Sequence, residues 1–161
     1  ICDICLKSGL LCASCKDKVD KGIVSQDFIS ISKILLDEAA NTRQLKDVTI
    51  NSVIGNQDCL FIICGTGDQH KIVGKGGSLV KKISSSLGKK VRVVEESQDP
   101  RTFLQNVIFP TPILNLNVLY TTNDEKYRVV IPRSSRLPLS LKDFIGLAKT
   151  VLNKDVEIAF R

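Results

Sequence analysis

Apolar positions spaced by three and four residues, Phe28, Ile31, Leu35 and Ala39, predict a helix that Ser25 caps and that ends near Asn41 to Arg43. The β-branched run Val48 to Ile54 predicts a strand, Gly55-Asn56-Gln57 a turn, and the unbroken apolar run Cys59 to Cys64 a second strand. Gly65-Thr66-Gly67-Asp68 then breaks the pattern. Gln69 to Val73 reads as a short helix and Gly74-Lys75-Gly76-Gly77 as a tight loop. Ser78 to Leu87 reads as a helix with Leu79, Val80, Ile83 and Leu87 inward and Lys81 and Lys82 outward, stopped by Gly88. Val91 to Val94 supplies a third strand, so the order is α-β-β-α-α-β.

A weaker echo follows. Asp99 and Pro100 open a helix through Asn106, and alternating Leu114, Leu116 and Val118 mark a strand. Thr122 to Glu125 make a turn, Tyr127 to Ile131 the paired strand, Leu141 to Leu152 a helix and Val156 to Phe160 a last strand. The fold class is therefore α+β, with three parts: a cysteine-rich segment and connector over 1–22, a first unit over 23–98 and a second over 99–161.

With 43% hydrophobic and 25% charged residues among 161, the chain has the composition of a folded protein and not of a disordered tail. No apolar run approaches the eighteen or so residues of a membrane span, and no cationic-then-apolar opening reads as a secretory signal, which leaves no membrane role and a cytoplasmic expectation. The absence of any Met implies that further residues precede Ile1. Net charge is +6, and its distribution matters more than its sum. Between Gln69 and Val94 stand Lys71, Lys75, Lys81, Lys82, Lys89, Lys90 and Arg92 with no Asp or Glu. A polyanion would relieve the self-repulsion of such a segment, so nucleic acid or a phosphate surface is the default partner, against a merely solvated lysine-rich face.

Four of the six cysteines form two C-x-x-C pairs, Cys2 with Cys5 and Cys12 with Cys15. Each two-residue gap lets both sulfurs reach one side of an ion, and Gly9 helps the second pair fold back on the first. Four thiolates complete a closed tetrahedral shell suited to structural Zn2+, in a small zinc-ribbon-like loop. An iron–sulfur cluster, a redox pair and two disulfides are the alternatives, the last fitting poorly with a cytosolic chain. So short a piece has no apolar core, so its folding should depend on the metal, with exposed Leu10 and Leu11 docking on the next domain or a partner. Cys59 and Cys64 sit in an apolar strand without a matching pair and read as core residues.

The loop Gly74 to Gly77 fails as a Walker loop, because Gln69 and Gly76 stand where Gly and Ser or Thr are needed. Neither Gly65 nor Gly74 starts a G-x-G-x-x-G dinucleotide fingerprint. What remains is a glycine turn between two helices where a sugar–phosphate backbone can approach the amides, with Lys75 offering charge. Ile72-Val73-Gly74-Lys75-Gly76-Gly77, followed by Ser78-Leu79-Val80-Lys81-Lys82-Ile83, resembles the RNA-clamping segment of a KH domain of the type with its extra helix and strand N-terminal (type II). That resemblance implies a groove for about four nucleotides of single-stranded nucleic acid. Ile72, Val73 and Val80 would border it, Gly74, Lys75, Gly76, Gly77, Lys81 and Lys82 would hold the backbone, and Arg92 would mark its far side.

Tandem KH units joined by Asp99-Pro100, Phe103, Asn106 and Pro110, and ending in Ile145-Gly146-Leu147-Ala148-Lys149 and Val156-Glu157-Ile158, resemble the NusA family of transcription factors, particularly its short archaeal members, over roughly residues 24 to 161. In the second unit Leu139-Ser140-Leu141-Lys142 stands where the glycine loop belongs, so backbone approach to phosphate should be lost there. Arg133, Arg136 and Lys142 remain available for phosphate contacts alone. His70, the one histidine, gives no support to a hydrolytic site, and 5% aromatic residues do not suggest recognition by extended stacking. The reading is a monomeric RNA-binding module, not an enzyme, that grips single-stranded RNA near RNA polymerase in elongation or termination. A ribosome- or RNA-processing-associated assembly protein is the alternative, and a single-stranded-DNA regulator a more remote one.

Overall fold

In the computed structural model, which describes Ile1–Arg161 throughout, the chain divides into two units, Ile1–Val93 and Val94–Arg161. The first begins with two short helices, α1 (Asp3–Ser8) and α2 (Ala13–Asp20). The cysteine segment is thus helical and not a bare loop, and α2 runs on into the connector expected within residues 1–22. Helix α3 (Gln26–Ala39) starts where the Ser25 hydroxyl accepts the Phe28 N–H at 3.1 Å, and buries Ile31, Leu35 and Ala39.

A hairpin of β1 (Ile50–Gly55) and β2 (Cys59–Cys64) follows. Asn56 tightens its turn: the side-chain oxygen accepts the N–H groups of Asp58 and Cys59 at 2.8 and 2.9 Å. Next come α4 (Gln69–Val73), a single 3₁₀ turn over Lys75–Gly77, α5 (Ser78–Leu87) and β3 (Lys90–Glu95). The sheet order is β1-β2-β3, with β1 and β2 antiparallel. The central strand β2 is buried at every residue. Its Leu60, Ile62 and Cys64 share one core with Ile31 and Leu35 of α3, Ile72 of α4, Leu79 and Ile83 of α5, and Val93 of β3. Burying that set supplies the main drive for folding this unit.

The second unit contains α6 (Pro100–Ile108), β4 (Asn115–Tyr120), β5 (Glu125–Ile131), α7 (Leu141–Leu152) and β6 (Asp155–Phe160). Asp99 caps α6 by accepting the Thr102 N–H at 3.0 Å, and Ser140 caps α7 by accepting the Asp143 N–H at 3.1 Å. Strand β5 pairs antiparallel with β4 and parallel with β6. Phe103, Leu104 and Val107 of α6 and Phe144, Leu147 and Ala148 of α7 are buried, as are Val129, Ile131 and Val156 of the sheet. The order is α-β-β-α-β, one short helix fewer than in the stretch from α3 to β3 of the first unit. Pro132 and Pro138 bracket the stretch where that helix would lie, and each lacks the N–H a helix interior needs. No helix in either unit is long and apolar enough to cross a membrane.

Candidate functional site

Each C-x-x-C pair straddles a helix start. Cys2 and Cys12 occupy the N-cap positions of α1 and α2, and Cys5 and Cys15 lie one turn in, so each pair projects from the end of its helix. Gly9, in the left-handed region at φ 74°, donates its N–H to the Cys5 carbonyl and ends α1, turning the chain toward the second pair. The four sulfurs all lie within 4.8 Å of one another; Cys2 and Cys5 are 3.3 Å apart, and Cys2 and Cys15 3.9 Å. Sulfurs bound tetrahedrally at about 2.3 Å would be about 3.8 Å apart, so the set fits one metal ion with only small adjustment.

Backbone amides support the cluster: Cys2 N–H donates to Cys15 Sγ at 3.4 Å and Cys12 N–H to Cys5 Sγ at 3.1 Å. Four adjacent thiols cannot all ionise on their own. The amide and thiol of Cys15 draw Cys12 down to about 7. Although the Cys12 amide favours its thiolate, the Cys2 thiol pushes Cys5 up to about 12. A dication removes that conflict by stabilising every thiolate at once. Leu6, not Leu10, joins the segment to its neighbours: Leu6 is buried where α1 packs on α3, whereas Leu10 stays 78% exposed. The docking expected of Leu10 and Leu11, both exposed, therefore falls to Leu6, because helix formation turns residue 6 toward α3 and leaves residues 10 and 11 beyond the helix end.

The second feature is the glycine turn between α4 and α5. Gly74 adopts φ 76°, ψ 172°, a conformation essentially restricted to glycine, and a Cβ there would lie 2.9 Å from the Leu79 Cβ. Gly76 and Gly77 are left-handed, with φ 62° and 76°. A Cβ on Gly76 would meet nothing within 4 Å, so this side of the turn is open. A Cβ on Gly77 would lie 3.8 Å from Val80 Cγ1 and 3.9 Å from Lys81 Cε, which puts the Lys81 stem against the turn. At the opposite end of α4, the buried Asp68 carboxylate accepts hydrogen bonds from the Thr49 N–H at 3.0 Å and from Lys71 Nζ at 3.1 Å. Those bonds, the Thr49 amide first, hold its carboxyl below the usual carboxylate range.

The residues proposed from sequence are not all gathered at the turn. Gly74, Lys75, Gly76, Gly77, Val80 and Lys81 are. Ile72 is fully enclosed in the core and lies beneath the turn, with no surface to offer, and Val73 and Val80 are half-buried against the same core. Arg92 alternates along β3 with the inward Val91 and Val93, so it projects from the sheet face opposite α4 and α5. Desolvation lowers its pKa, an effect the neighbouring Cys59 opposes. The acid-free run is also less bare in space than in sequence: Lys71 pairs with Asp68 at 3.1 Å, Lys89 with Asp27 at 3.0 Å, and Lys82 with Glu38. Asp68, Asp27 and Glu38 lie outside the run and carry no mark in the sequence that would single them out.

No protein-family model matches the chain. It is 31% identical over 113 residues to the "Probable transcription termination protein NusA" of Methanococcus vannielii, covering 70% of this chain and 61% of that one. To the protein of the same description in Methanocaldococcus jannaschii it is 34% identical over 67 residues, 42% of this chain and 37% of the other. The chain is a homologue of archaeal NusA. A Halobacterium salinarum NusA relative is 26% identical over 72 residues, covering 45% of this chain and 52% of its own. The NusA-like chain thus spans between 37% and 61% of the length of these relatives. Its fold matches the solved structure described as "Crystal structure of APE1850" with a TM-score of 0.57 at 19% identity, covering 80% of this chain and 96% of that one.

In this NusA-like chain the second unit has no counterpart of the glycine turn. Ser140 occupies the start of α7 and its hydroxyl takes up the Asp143 amide, so the backbone there is already capped. Arg133, Arg136 and Lys142 are exposed nearby.

Proposed function

We propose that the NusA-like chain is an RNA-binding transcription factor built on two tandem KH-type units, and that the first grips single-stranded RNA at Gly74–Gly77. The observation that carries this reading is the glycine turn: open at Gly76, kept free of side chains by three positive-φ glycines, and flanked by Lys75 and Lys81, neither of which has an acidic partner. A phosphodiester strand needs an accessible backbone and positive charge in one place, and this turn combines them. The relatives' description as termination proteins supports a role on nascent transcript beside RNA polymerase.

In this reading the chain acts as a monomer in the cytoplasm and without catalysis, and its one histidine, His70, is an exposed surface residue. The thiolate set suits Zn2+ held for structure alone, since four protein ligands leave no open position for substrate. Changing Lys75 and Gly76 both to Asp tests the RNA site. Binding to a labelled 12-nucleotide single-stranded RNA should vanish in a fluorescence anisotropy titration while the melting temperature stays close to that of the parent, because Asp tolerates the left-handed region. Retained affinity overturns the assignment. Association with polymerase, as against ribosomal subunits, in a pull-down from the source cells tests the transcriptional half.

A further inference from the structure

The lysines along α5 resemble one another in sequence and differ in what they touch. Lys81 lies beside the glycine turn, its Cε 3.9 Å from where a Cβ on Gly77 would stand. Lys82, the next residue, is ion-paired with Glu38 of α3, 44 residues away in the chain, and Lys89, just beyond α5, is bonded to Asp27 of the same helix at 3.0 Å. Successive helical residues differ by about 100°, so residues two apart point to nearly opposite flanks. Val80 also faces Gly77, its Cγ1 3.8 Å from where a Cβ there would stand, and Lys82 accordingly lies on the flank away from the turn, where α3 packs. Lys75, in the turn itself, has no acidic partner.

Resting on the RNA reading above, we infer that Lys75 and Lys81 are the lysines that contact the phosphates at this site, and that Lys82 and Lys89 contact none and instead strap α5 to α3 through Glu38 and Asp27. Sequence assigns Lys81 and Lys82 the same part; the structure gives them different ones. The RNA site is accordingly built on a small number of direct charges, while the straps hold the helix that presents one of them.

Affinity for the 12-nucleotide RNA, measured between 50 mM and 500 mM KCl, separates the two roles, because each lost phosphate contact lowers the slope of log K against log salt by about 0.7 for single strands. Lys81→Ala and Lys75→Ala should each lower the slope by that amount and raise Kd about fivefold at 0.1 M salt, the factor such a slope gives relative to 1 M. Lys82→Ala and Glu38→Gln should leave the slope unchanged. They should lower the melting temperature by similar amounts, with no further loss in the double variant. A slope that falls for Lys82→Ala as it does for Lys81→Ala, or rises when Glu38→Gln frees Lys82, overturns the inference while leaving RNA binding intact. Glu38→Gln keeps every lysine in place, so the question is answered even where Lys82→Ala folds poorly. Absence of salt-dependent binding by the unaltered chain overturns the RNA reading itself.

Discussion

The Asp68 carboxylate accepts the backbone N–H of Thr49 at 3.0 Å, a bond that ties the end of the β2–α4 loop to the residue just before β1. The same carboxylate takes Lys71 Nζ at 3.1 Å, so one buried acid secures the sheet edge and the helix leading to the glycine turn. Hydrogen bonds to a charged group are worth about 2 kcal/mol each, and more is lost when their removal leaves a buried donor unpaired. Asp68→Ala should therefore destabilise the first unit by about 2–3 kcal/mol in urea unfolding. Indifference of the unfolding midpoint would mean that the Thr49 amide finds another partner.

The same residue sets a pH dependence. Its carboxyl is depressed in the folded chain, so its stabilisation is complete above the unfolded value near 3.9 and is lost as pH falls through the lower folded value. The melting temperature should fall on acidification below about pH 4, and Asp68→Asn should shrink that fall. An unchanged acid limb in the Asn variant would assign the effect to other groups.

The glycines of the turn should not be equivalent. Alanine at Gly74 faces both a glycine-only conformation and a 2.9 Å approach to the Leu79 Cβ. Alanine at Gly76 faces only the left-handed region, a cost of about 1–2 kcal/mol, with open space around it. Gly74→Ala should thus lower stability clearly more than Gly76→Ala. Equal losses in thermal melts would show that the backbone around Gly74 relaxes.

Metal loss should unfold the cysteine segment first. Helices of six and eight residues do not persist alone in water, and little apolar surface holds these two. Metal analysis should find one zinc per chain, absent from the Cys2→Ser, Cys5→Ser double variant, and a strong chelator should reduce helical circular dichroism while the sheet core persists. Iron with visible absorbance would change the identity of the ion.

Much of this architecture is legible in the pattern of residues because local physics dominates it. The 3.6-residue spacing of Ile31, Leu35 and Ala39, the run Cys59 to Cys64 and the terminator Gly88 each mark an element by themselves. Helix α2 escapes that reading, since its Lys and Asp residues make no apolar stripe and its start rests on the cysteine pair. The cysteine cluster is legible from spacing alone. The division of labour between Lys81 and Lys82 is not, because it depends on Glu38, brought alongside only by the packing of α3 on α5. The enclosure of Ile72 likewise follows from how deeply α4 sinks into the core, which periodicity over five residues does not reveal.

Strand β2, covered from Cys59 to Cys64 without a break, has a corollary for how the chain can vary. Most strands have a wet side where nearly any polar residue is accepted, so every second position is free to drift. Here six neighbouring codons lack that freedom, and replacements are confined to apolar residues of similar bulk. A saturation library should read there as a solid intolerant block, where an ordinary strand would give alternating stripes.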